Sequence, residues 1–349
     1  MSHGETPLRL SCSVPEVVKG LDNKDRQILF LLSKNCRLTD SKIGKLTRMS
    51  KQAVGYRIRK LAREGILTKF VTIIDPEMFG YTFYNVYLEL DSRSKERDSK
   101  LLEKFLAEKS TTWIVEGFGK WDYIVCVLAK DVREFHNILT NIFHICGDSL
   151  LDHATFTVVE AHAYPYKFLF QDLKLDYTPS YLGRKTDRMR LDRDDMKILQ
   201  YISNDARARI MDVAAKTDLD PKKVAYRIKT MQQMGYIAAF TIQMDVSKLG
   251  YGWHYVFFKL KYANESNEKE FLKYIKSLPW VFYVIKGVGN YNLTLELHAR
   301  DLEHYHQIIS DIKERYKDLI KKMWAFQILK EHKCDFFPAN IMEEMKDGK

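Results

Sequence analysis

A helical stretch that follows Ser50, KQAVGYRIRKLAREG, carries hydrogen-bonding side chains at spacings of three and four residues. At about 100° per residue, Gln52, Tyr56, Arg59 and Arg63 share one face of this helix, opposite the face that carries its apolar residues. Amide, phenol and guanidinium groups on a helix in the major groove of DNA can hydrogen-bond to base edges and phosphates. The spacing therefore predicts a nucleic-acid contact surface.

The same helix offers four further contact candidates. Ser50 is the predicted N-cap, Lys51 and Lys60 add positive charge, and Arg57 lies only about 60° from the apolar face. Two interpretations of Arg57 stay open, contact with a phosphate or bracing of its own domain. A second stretch repeats the pattern, and its candidates are Lys222, Lys223, Tyr226, Arg227 and Lys229.

Two glycine-containing turns form a second candidate site. They read GFGKWD at 117–122 and GVGNYN at 287–292. Both lack the third glycine of a dinucleotide-binding fingerprint, and predicted strands flank each turn on both sides. The simplest interpretation is a tight hairpin turn in which glycine supplies a positive φ.

Both motifs occur twice because the chain contains a tandem duplication. LDNKDRQILFLL at 21–32 returns as LDRDDMKILQYI at 191–202, and the offset of 170 residues holds without a gap through both glycine turns. A repeat of about 150 residues is much longer than a solenoid repeat, so it indicates duplication of a whole module. In each module three predicted helices and a strand, the layout of a winged helix-turn-helix, precede the order βαββαβ, which is typical of a ferredoxin-like domain.

These patterns predict an α+β fold made of two tandem units. The predicted division is an N-terminal tail 1–20, a winged helix-turn-helix 21–75, a ferredoxin-like domain 76–168, a linker 169–190, a second winged helix-turn-helix 191–245, a second ferredoxin-like domain 246–335 and a C-terminal tail 336–349. Because strand edges of a four-stranded sheet invite pairing, we expect the units to pair within one chain as a pseudo-dimer. A larger homo-oligomer stays open.

Composition narrows the class of protein. The 349 residues, of which 46% are hydrophobic, can form more than one core. No apolar run approaches the roughly 18 residues of a membrane helix, and the first residues lack the layout of a signal peptide, so we expect a cytoplasmic protein. The five cysteines are scattered and no catalytic set of side chains stands out. Neither a metal nor a cofactor is therefore predicted.

Positive charge is concentrated around the helix candidates. The net charge of the chain is +10. Residues 34–69 carry eleven Lys and Arg against two acidic residues, a net of +9, whereas 204–239 carry seven against four, a net of +3. Because each phosphate contact releases counterions, we expect the first unit to bind double-stranded DNA more strongly and with a steeper salt dependence.

The combination of LDNKDRQILFLL, SKQAVGYRIRKLAREGIL, FGY and GFGKWD resembles the Lrp/AsnC family, the feast/famine regulators of prokaryotes. The resemblance extends over 21–335. It implies a sequence-specific DNA-binding transcription regulator whose ferredoxin-like (RAM) domains assemble and sense a small, amino-acid-like effector. It also implies that the glycine turns line the rim of an effector pocket, with Gly117, Gly119, Asp122, Gly287, Gly289 and Asn292 as the residues concerned. Asp122 would hold a ligand ammonium or cap backbone N–H groups, and Asn292 keeps the hydrogen-bonding shape without the charge.

Two alternatives remain. One is a tetrapyrrole-modifying enzyme resembling the fused siroheme decarboxylases, which are similar to this family in fold. Those enzymes carry a histidine-containing motif where this chain reads EGFGKWDY and KGVGNYNL, both without histidine. The regulator is therefore favoured, and the chain is not predicted to be an enzyme. In the other alternative, the second winged helix has lost DNA binding and serves only in assembly.

Overall fold

The computed structural model of the protein describes residues 20–91, 95–170, 180–182, 191–261, 265–338 and 341. The predicted N-terminal tail apart from Gly20, most of the predicted linker and most of the predicted C-terminal tail lie outside the described residues. No helix in the described ranges is both long enough and apolar enough to span a membrane.

The first unit contains the predicted helices and strands in the predicted order. Its helix-turn-helix part comprises α1 (Asn23–Lys34), α2 (Asp40–Thr47), α3 (Lys51–Arg63) and β1 (Leu67–Ile74). Its ferredoxin-like part comprises β2 (Thr82–Leu90), α4 (Lys95–Ala107), β3 (Thr111–Gly119), β4 (Tyr123–Ala129), α5 (Val132–Cys146) and β5 (Leu150–Ala163). A short strand that the sequence does not predict, β6 (Ser180–Leu182), lies inside the predicted linker and pairs with β5.

The second unit repeats this order. Its helix-turn-helix part comprises α6 (Arg193–Asn204), α7 (Ile210–Thr217), α8 (Pro221–Gln233) and β7 (Ile237–Met244). Its ferredoxin-like part comprises β8 (Gly252–Leu260), α9 (Glu265–Ser277), β9 (Val281–Gly289), β10 (Leu293–Ala299), α10 (Leu302–Arg315) and β11 (Ile320–Cys334). The predicted α+β class is confirmed.

Side-chain caps set the starts of α3 and α8. The Ser50 hydroxyl accepts a hydrogen bond from Ala53 N at 3.1 Å, and Asp220 accepts one from Lys222 N at 2.8 Å. Such caps satisfy backbone donors that have no partner within the helix. Pro221 occupies the first turn of α8, where its missing N–H costs nothing.

Strands of the two ferredoxin-like domains close into one barrel. The order β2-β4-β3-β11-β8-β10-β9-β5 returns to β2 through the pairing of β5 with β2. Two of these antiparallel contacts, β3 with β11 and β5 with β9, join one unit to the other. Alternate residues point into the barrel, where aromatic side chains such as Tyr87, Phe156 and Tyr255 are fully buried.

The strand predicted as a wing is present, but its partner lies in the other unit. β1 pairs with β7 in an antiparallel ribbon, the β1–β7 ribbon, in which Val71 lies opposite Thr241. These two residues are 170 positions apart, which is the offset of the duplication. A pseudo-two-fold axis therefore passes through the ribbon. Val71 and Ile73 of the ribbon pack against the core of the barrel.

Candidate nucleic-acid interface

The contact face predicted for α3 is exposed. Val54, Ile58 and Leu61 are buried, so this side of the helix packs inward. The opposite side carries exposed side chains, namely Ser50, Lys51, Gln52, Tyr56, Arg59 and Arg63. Tyr56 leaves 59% of its surface exposed, which is a large aromatic exposure for a helix with a well-packed inner face.

α8 presents the equivalent face in the second unit. Val224, Ile228 and Met231 are buried, and Tyr226, at the position equivalent to Tyr56, is 71% exposed. Lys222, Lys223 and Lys229 are also exposed. The two faces differ in composition. Where α3 has Gln52, Arg59 and Arg63, α8 has Lys222, Lys229 and Gln233.

Arg57 and Arg227 brace their own domains. Arg57 Nη1 donates to Asp22 Oδ2 at 2.6 Å and to Asp25 Oδ1 at 2.7 Å, which ties α3 to the start of α1. The hydrogen bond with Asp25 is the main reason why the pKa of Arg57 is raised. Arg227 makes the equivalent ion pairs, and its pKa is raised for the same reason. Of the two interpretations that the sequence left open, the geometry supports bracing of the domain over contact with a phosphate.

Two lysines of the predicted interface also have acidic neighbours. Lys60 Nζ lies 3.9 Å from Glu64 Oε1, and Lys223 Nζ lies 3.4 Å from Asp194 Oδ2. Exposed pairs at these distances contribute little to stability, so phosphates can compete for both ammonium groups. Lys60 is half-buried, whereas Lys223 is exposed.

An arginine pair, the Arg37/Arg207 clamp, locks the two helix-turn-helix parts together. Arg37 Nη1 donates to Ala206 O at 2.8 Å, and Arg207 Nη1 donates to Cys36 O at 2.6 Å. Arg207 also pairs with Asp40 at the start of α2. The first unit supplies this carboxylate, and the second has Ile210 at the equivalent position. The clamp is thus stronger on one side of the pseudo-two-fold axis.

Hydrogen bonds around the β1–β7 ribbon hold both helix-turn-helix parts on the barrel. Thr241 Oγ1 donates to Ser33 O of α1 at 2.9 Å, and Thr72 Oγ1 donates to Ile202 O of α6 at 2.6 Å. Each ribbon strand therefore contacts the first helix of the opposite unit. Contacts between the two units therefore fix the distance between α3 and α8.

The glycine turns lie where the units pair. A Cβ atom on Gly117 would lie 2.3 Å from Gln327 O of β11, and one on Gly287 would lie 2.1 Å from Thr157 O of β5. Gly119 and Gly289 have φ of 153° and 149°, a region that favours glycine. The glycines therefore allow β3 and β9 to approach the strands of the other unit.

Asp122 and Asn292 make the same backbone contact in their two units. Asp122 Oδ2 accepts a hydrogen bond from Leu90 N at 2.7 Å, and Asn292 Oδ1 accepts one from Leu260 N at 2.8 Å. This is backbone capping, one of the two roles proposed for Asp122 from the sequence. Contact of the six turn residues with an effector stays a prediction.

Comparison with known proteins agrees with this geometry. The AsnC-type helix-turn-helix domain matches residues 21–62, and a winged helix-turn-helix DNA-binding domain matches residues 191–238. The uncharacterized HTH-type transcriptional regulator PH1916 of Pyrococcus horikoshii is 30% identical over 123 residues, which cover 35% of this chain and 81% of that relative. The chain belongs to the Lrp/AsnC family.

A second relative shows how this Lrp/AsnC chain differs from single-unit members. The uncharacterized HTH-type transcriptional regulator PH0061 of Pyrococcus horikoshii is 29% identical over 148 residues, covering 40% of this chain but 99% of that relative. One unit here therefore corresponds to one whole relative. With two matched helix-turn-helix domains, the chain is a DNA-binding transcription regulator of the AsnC type that carries the unit twice.

The complete two-unit arrangement also occurs in a solved structure. The siroheme decarboxylase NirDL superposes with a TM-score of 0.59 and covers 93% of this chain and 97% of its own, at 13% sequence identity. At this identity the likeness concerns the fold alone. It indicates that two such units recur in the same relative arrangement.

Several important residues of this Lrp/AsnC chain are not predicted by its sequence patterns. Arg37 and Arg207 occupy equivalent positions of the duplication, which is a signal that could have identified the clamp. Glu296, which is buried, and Glu331, which is half-buried, are residues of the second unit that line a cavity next to the ribbon. They have no acidic counterpart in the first unit and no spacing that would have singled them out.

Proposed function

We propose that the chain binds DNA sequence-specifically as a single-chain pseudo-dimer in which α3 and α8 are the two recognition helices. The observation that carries this proposal is the pair of exposed tyrosines, Tyr56 and Tyr226, at equivalent positions of two helices whose inner faces are buried. The Arg37/Arg207 clamp and the β1–β7 ribbon favour a fixed distance between them. Paired helices of this kind read half-sites about one helical turn apart.

The first unit supplies the larger share of the affinity under this proposal. Its segment 34–69 has a net charge of +9, against +3 for 204–239. The α3 face combines an amide with two guanidinium groups, which can bind bases in bidentate fashion, whereas Lys222 and Lys229 of α8 act as point charges. The pseudo-two-fold axis then predicts an inverted-repeat operator whose half-sites differ in sequence and in importance.

Mutation of the tyrosine face tests the proposal. DNA fragments selected from the source genome would be titrated with Tyr56→Ala, Arg59→Ala and the control Lys313→Ala, which changes an exposed lysine on α10. Removal of one side chain that binds a base should cost roughly 1–3 kcal/mol, and the control should bind as the wild type does. Unchanged affinity in Tyr56→Ala and Arg59→Ala, with intact thermal melts, would refute the assignment of this face.

Effector sensing is the second part of the proposed function. The turn tips carry Phe118 and Val288, which are 74% and 67% exposed, next to the strands at which the units meet. A small amino-acid-like molecule bound there would contact both units and could alter their pairing. Equilibrium binding of the free amino acids to the full chain, compared with Asp122→Asn, tests this site.

The tetrapyrrole-modifying enzyme remains the alternative. The sequence relatives carry the names of transcription regulators, which favours regulation. The likeness to NirDL is one of fold, and the cavity next to the β1–β7 ribbon carries carboxyl groups that disfavour a polycarboxylate. Absorbance spectra with added iron uroporphyrin, recorded beside DNA titrations, separate the two functions.

A further inference from the structure

The β1–β7 ribbon covers a cavity of about 980 Å³ at one end of the barrel. This volume is typical of a site for an organic molecule, and barrel mouths are common places for such sites. Both units contribute to its walls. Glu296 and Glu331 form an acidic wall of the cavity. Tyr166, Phe282 and His298 form an aromatic wall.

Two glutamates on the acidic wall are each held by a tryptophan. Glu296 of β10 is 5% exposed and accepts a hydrogen bond from Trp253 Nε1 at 3.0 Å. Glu331 of β11 accepts one from Trp113 Nε1 at 2.7 Å. The two indole rings lie 6.2 Å apart, and both carboxyl groups line the same cavity. An indole N–H is a neutral donor and leaves the charge of a carboxylate uncompensated.

The aromatic wall is a stack of rings. Phe282 lies parallel to the His298 imidazole at 4.2 Å, and Tyr166 stacks on Phe282 at 5.8 Å. Burial lowers the pKa of His298 to about 3, so the imidazole is neutral. The wall therefore offers flat, neutral rings.

We propose that this cavity binds an organic cation, a primary ammonium group carried on an aromatic body. An ammonium group between Glu296 and Glu331 would form charge-assisted hydrogen bonds with both carboxylates. The aromatic body would pack against Tyr166 and Trp253, which line the cavity and are partly exposed, and the adjacent indole faces attract a cation. An anion would lie next to two carboxyl groups in a buried site, and its binding there would be unfavourable.

The groups around the glutamates define how binding depends on pH. Burial raises the pKa of Glu296 to about 8, and it raises the pKa of Glu331 although Lys69 of β1 acts in the opposite direction. The cavity is also lined by Lys34, Lys69, Lys330, Asp245 and Asp335. Burial shifts the pKa of six further groups near the pair, namely Cys126, Tyr166, Tyr255, Tyr283, His298 and Cys334. Burial keeps all six neutral near pH 7. Binding of an ammonium group below about pH 8 must therefore displace a proton from Glu296.

The cavity also touches the ribbon that carries the DNA-contact helices. Gln243 of β7 donates a hydrogen bond to Glu331 Oε2 at 3.3 Å. A cation that binds this carboxylate would compete with Gln243 and change how the ribbon packs on the barrel. The position of α3 relative to α8 would then change as well. This consequence rests on the proposed function, whereas the cavity site does not.

Calorimetry on the full chain tests the site without DNA. Tryptamine and phenethylamine are the probes, and indole-3-acetate is the matched anion with the ring of tryptamine. We expect an amine to bind with proton release at pH 7 and with higher affinity at about pH 8 than at about pH 6. Indole-3-acetate should not bind. Glu296→Gln and Glu331→Gln should each weaken amine binding at least tenfold, and Glu296→Gln should also abolish the proton release.

Two controls keep failure to bind distinct from failure to fold. Glu116→Gln changes a carboxyl group of β3 that does not line the cavity, so binding should persist. Because burial favours protonated Glu296, its contribution to stability is present below its ordinary pKa of 4.5 and is lost as pH rises through about 8. Glu296→Gln should thus melt no lower than the wild type at pH 8. No heat with either amine, equal affinity in Glu296→Gln, or equal binding of indole-3-acetate would overturn the proposal.

Discussion

The two units of this chain are equivalent at the strands where their ferredoxin-like domains pair and different at the residues that could contact DNA or a ligand. At the pairing strands, Gly119 lies opposite Phe326 and Gly289 lies opposite Phe156, so each unit offers the other the same surface. On α3 and α8, only the tyrosine is shared among the exposed contact candidates. A fused pair must keep complementary strand contacts, because each unit supplies half of the barrel. The same fusion leaves each unit free to change its exposed and ligand-facing residues.

The cavity shows this difference most clearly. The positions equivalent to Glu296, His298 and Glu331 are Cys126, Leu128 and Ala161 in the first unit. The acidic wall therefore comes from the second unit alone, whereas most of the positive charge near the recognition helices comes from the first. Under the proposals made above, DNA contact would depend more on the first unit and ligand binding more on the second.

We expect the largest losses of stability, of similar size in both units, for substitutions of the glycines in the pairing strands. Gly117→Ala and Gly287→Ala each place a methyl group within 2.3 Å of a backbone oxygen of the other unit. Each should destabilise the protein by about 2–4 kcal/mol, since neither backbone can yield without loss of strand pairing. Urea unfolding measures the losses, with Val288→Ala at an exposed turn tip as the control. Clearly unequal losses would contradict the equivalence of the two pairing surfaces.

Charge reversal should separate the units in DNA binding. The double variant Lys51→Glu with Arg59→Glu should weaken binding more than Lys223→Glu with Lys229→Glu. It should also reduce the salt slope more, because each phosphate that is no longer neutralised lowers that slope by about 0.9. Anisotropy titrations at several salt concentrations measure both. Equal losses would mean that the units bind DNA equally despite their different charges.

The clamp should respond asymmetrically to mutation. Each substitution removes a hydrogen bond to a backbone carbonyl and a guanidinium group that lies over a phenylalanine ring of the other unit. Arg207→Ala also leaves Asp40 without this partner. We expect about 1–3 kcal/mol for Arg207→Ala and about 0.5–1.5 kcal/mol for Arg37→Ala. Chemical denaturation of the two variants gives the comparison. A larger loss in Arg37→Ala would show that Asp40 does not strengthen the clamp.

The smallest effect is expected at the turn acids. Asp122→Asn keeps an acceptor for Leu90 N, so stability should change by less than about 1 kcal/mol. If Asp122 contacts an effector ammonium, the response of DNA binding to amino acids should diminish in this variant. Asn292→Asp should not abolish that response. An unaltered response in Asp122→Asn would limit this carboxylate to its backbone contact.

Patterns within short stretches of the sequence predicted most of the helices and strands. Ser50 and the apolar periodicity of α3 led to the observed helix, because caps and helical faces depend on residues close together in sequence. The pairing of β1 with β7 could not be read in this way. It depends on a register between strands 170 residues apart, which leaves no signal in either strand by itself.

The sequence did not predict the cavity, because the cavity also depends on contacts between distant parts of the chain. In LTLELHA of β10 the leucines alternate with Thr294, Glu296 and His298, a pattern typical of a sheet with one face in the core and one in water. The polar face of this strand instead faces the inside of the barrel, because the strands of the first ferredoxin-like domain complete the barrel around it. Only the assembled pair of units makes these residues buried.

The pseudo-two-fold axis at the Val71/Thr241 pair has a consequence for the cell in which the protein works. In a regulator assembled from separate subunits, the active form disappears on dilution by the law of mass action. Here the two halves are joined by one covalent chain, so their local concentration does not depend on expression level. A few copies of the chain per cell would retain both DNA-contact helices in their fixed relation. Occupancy of an operator would then follow a simple hyperbola down to the lowest concentrations.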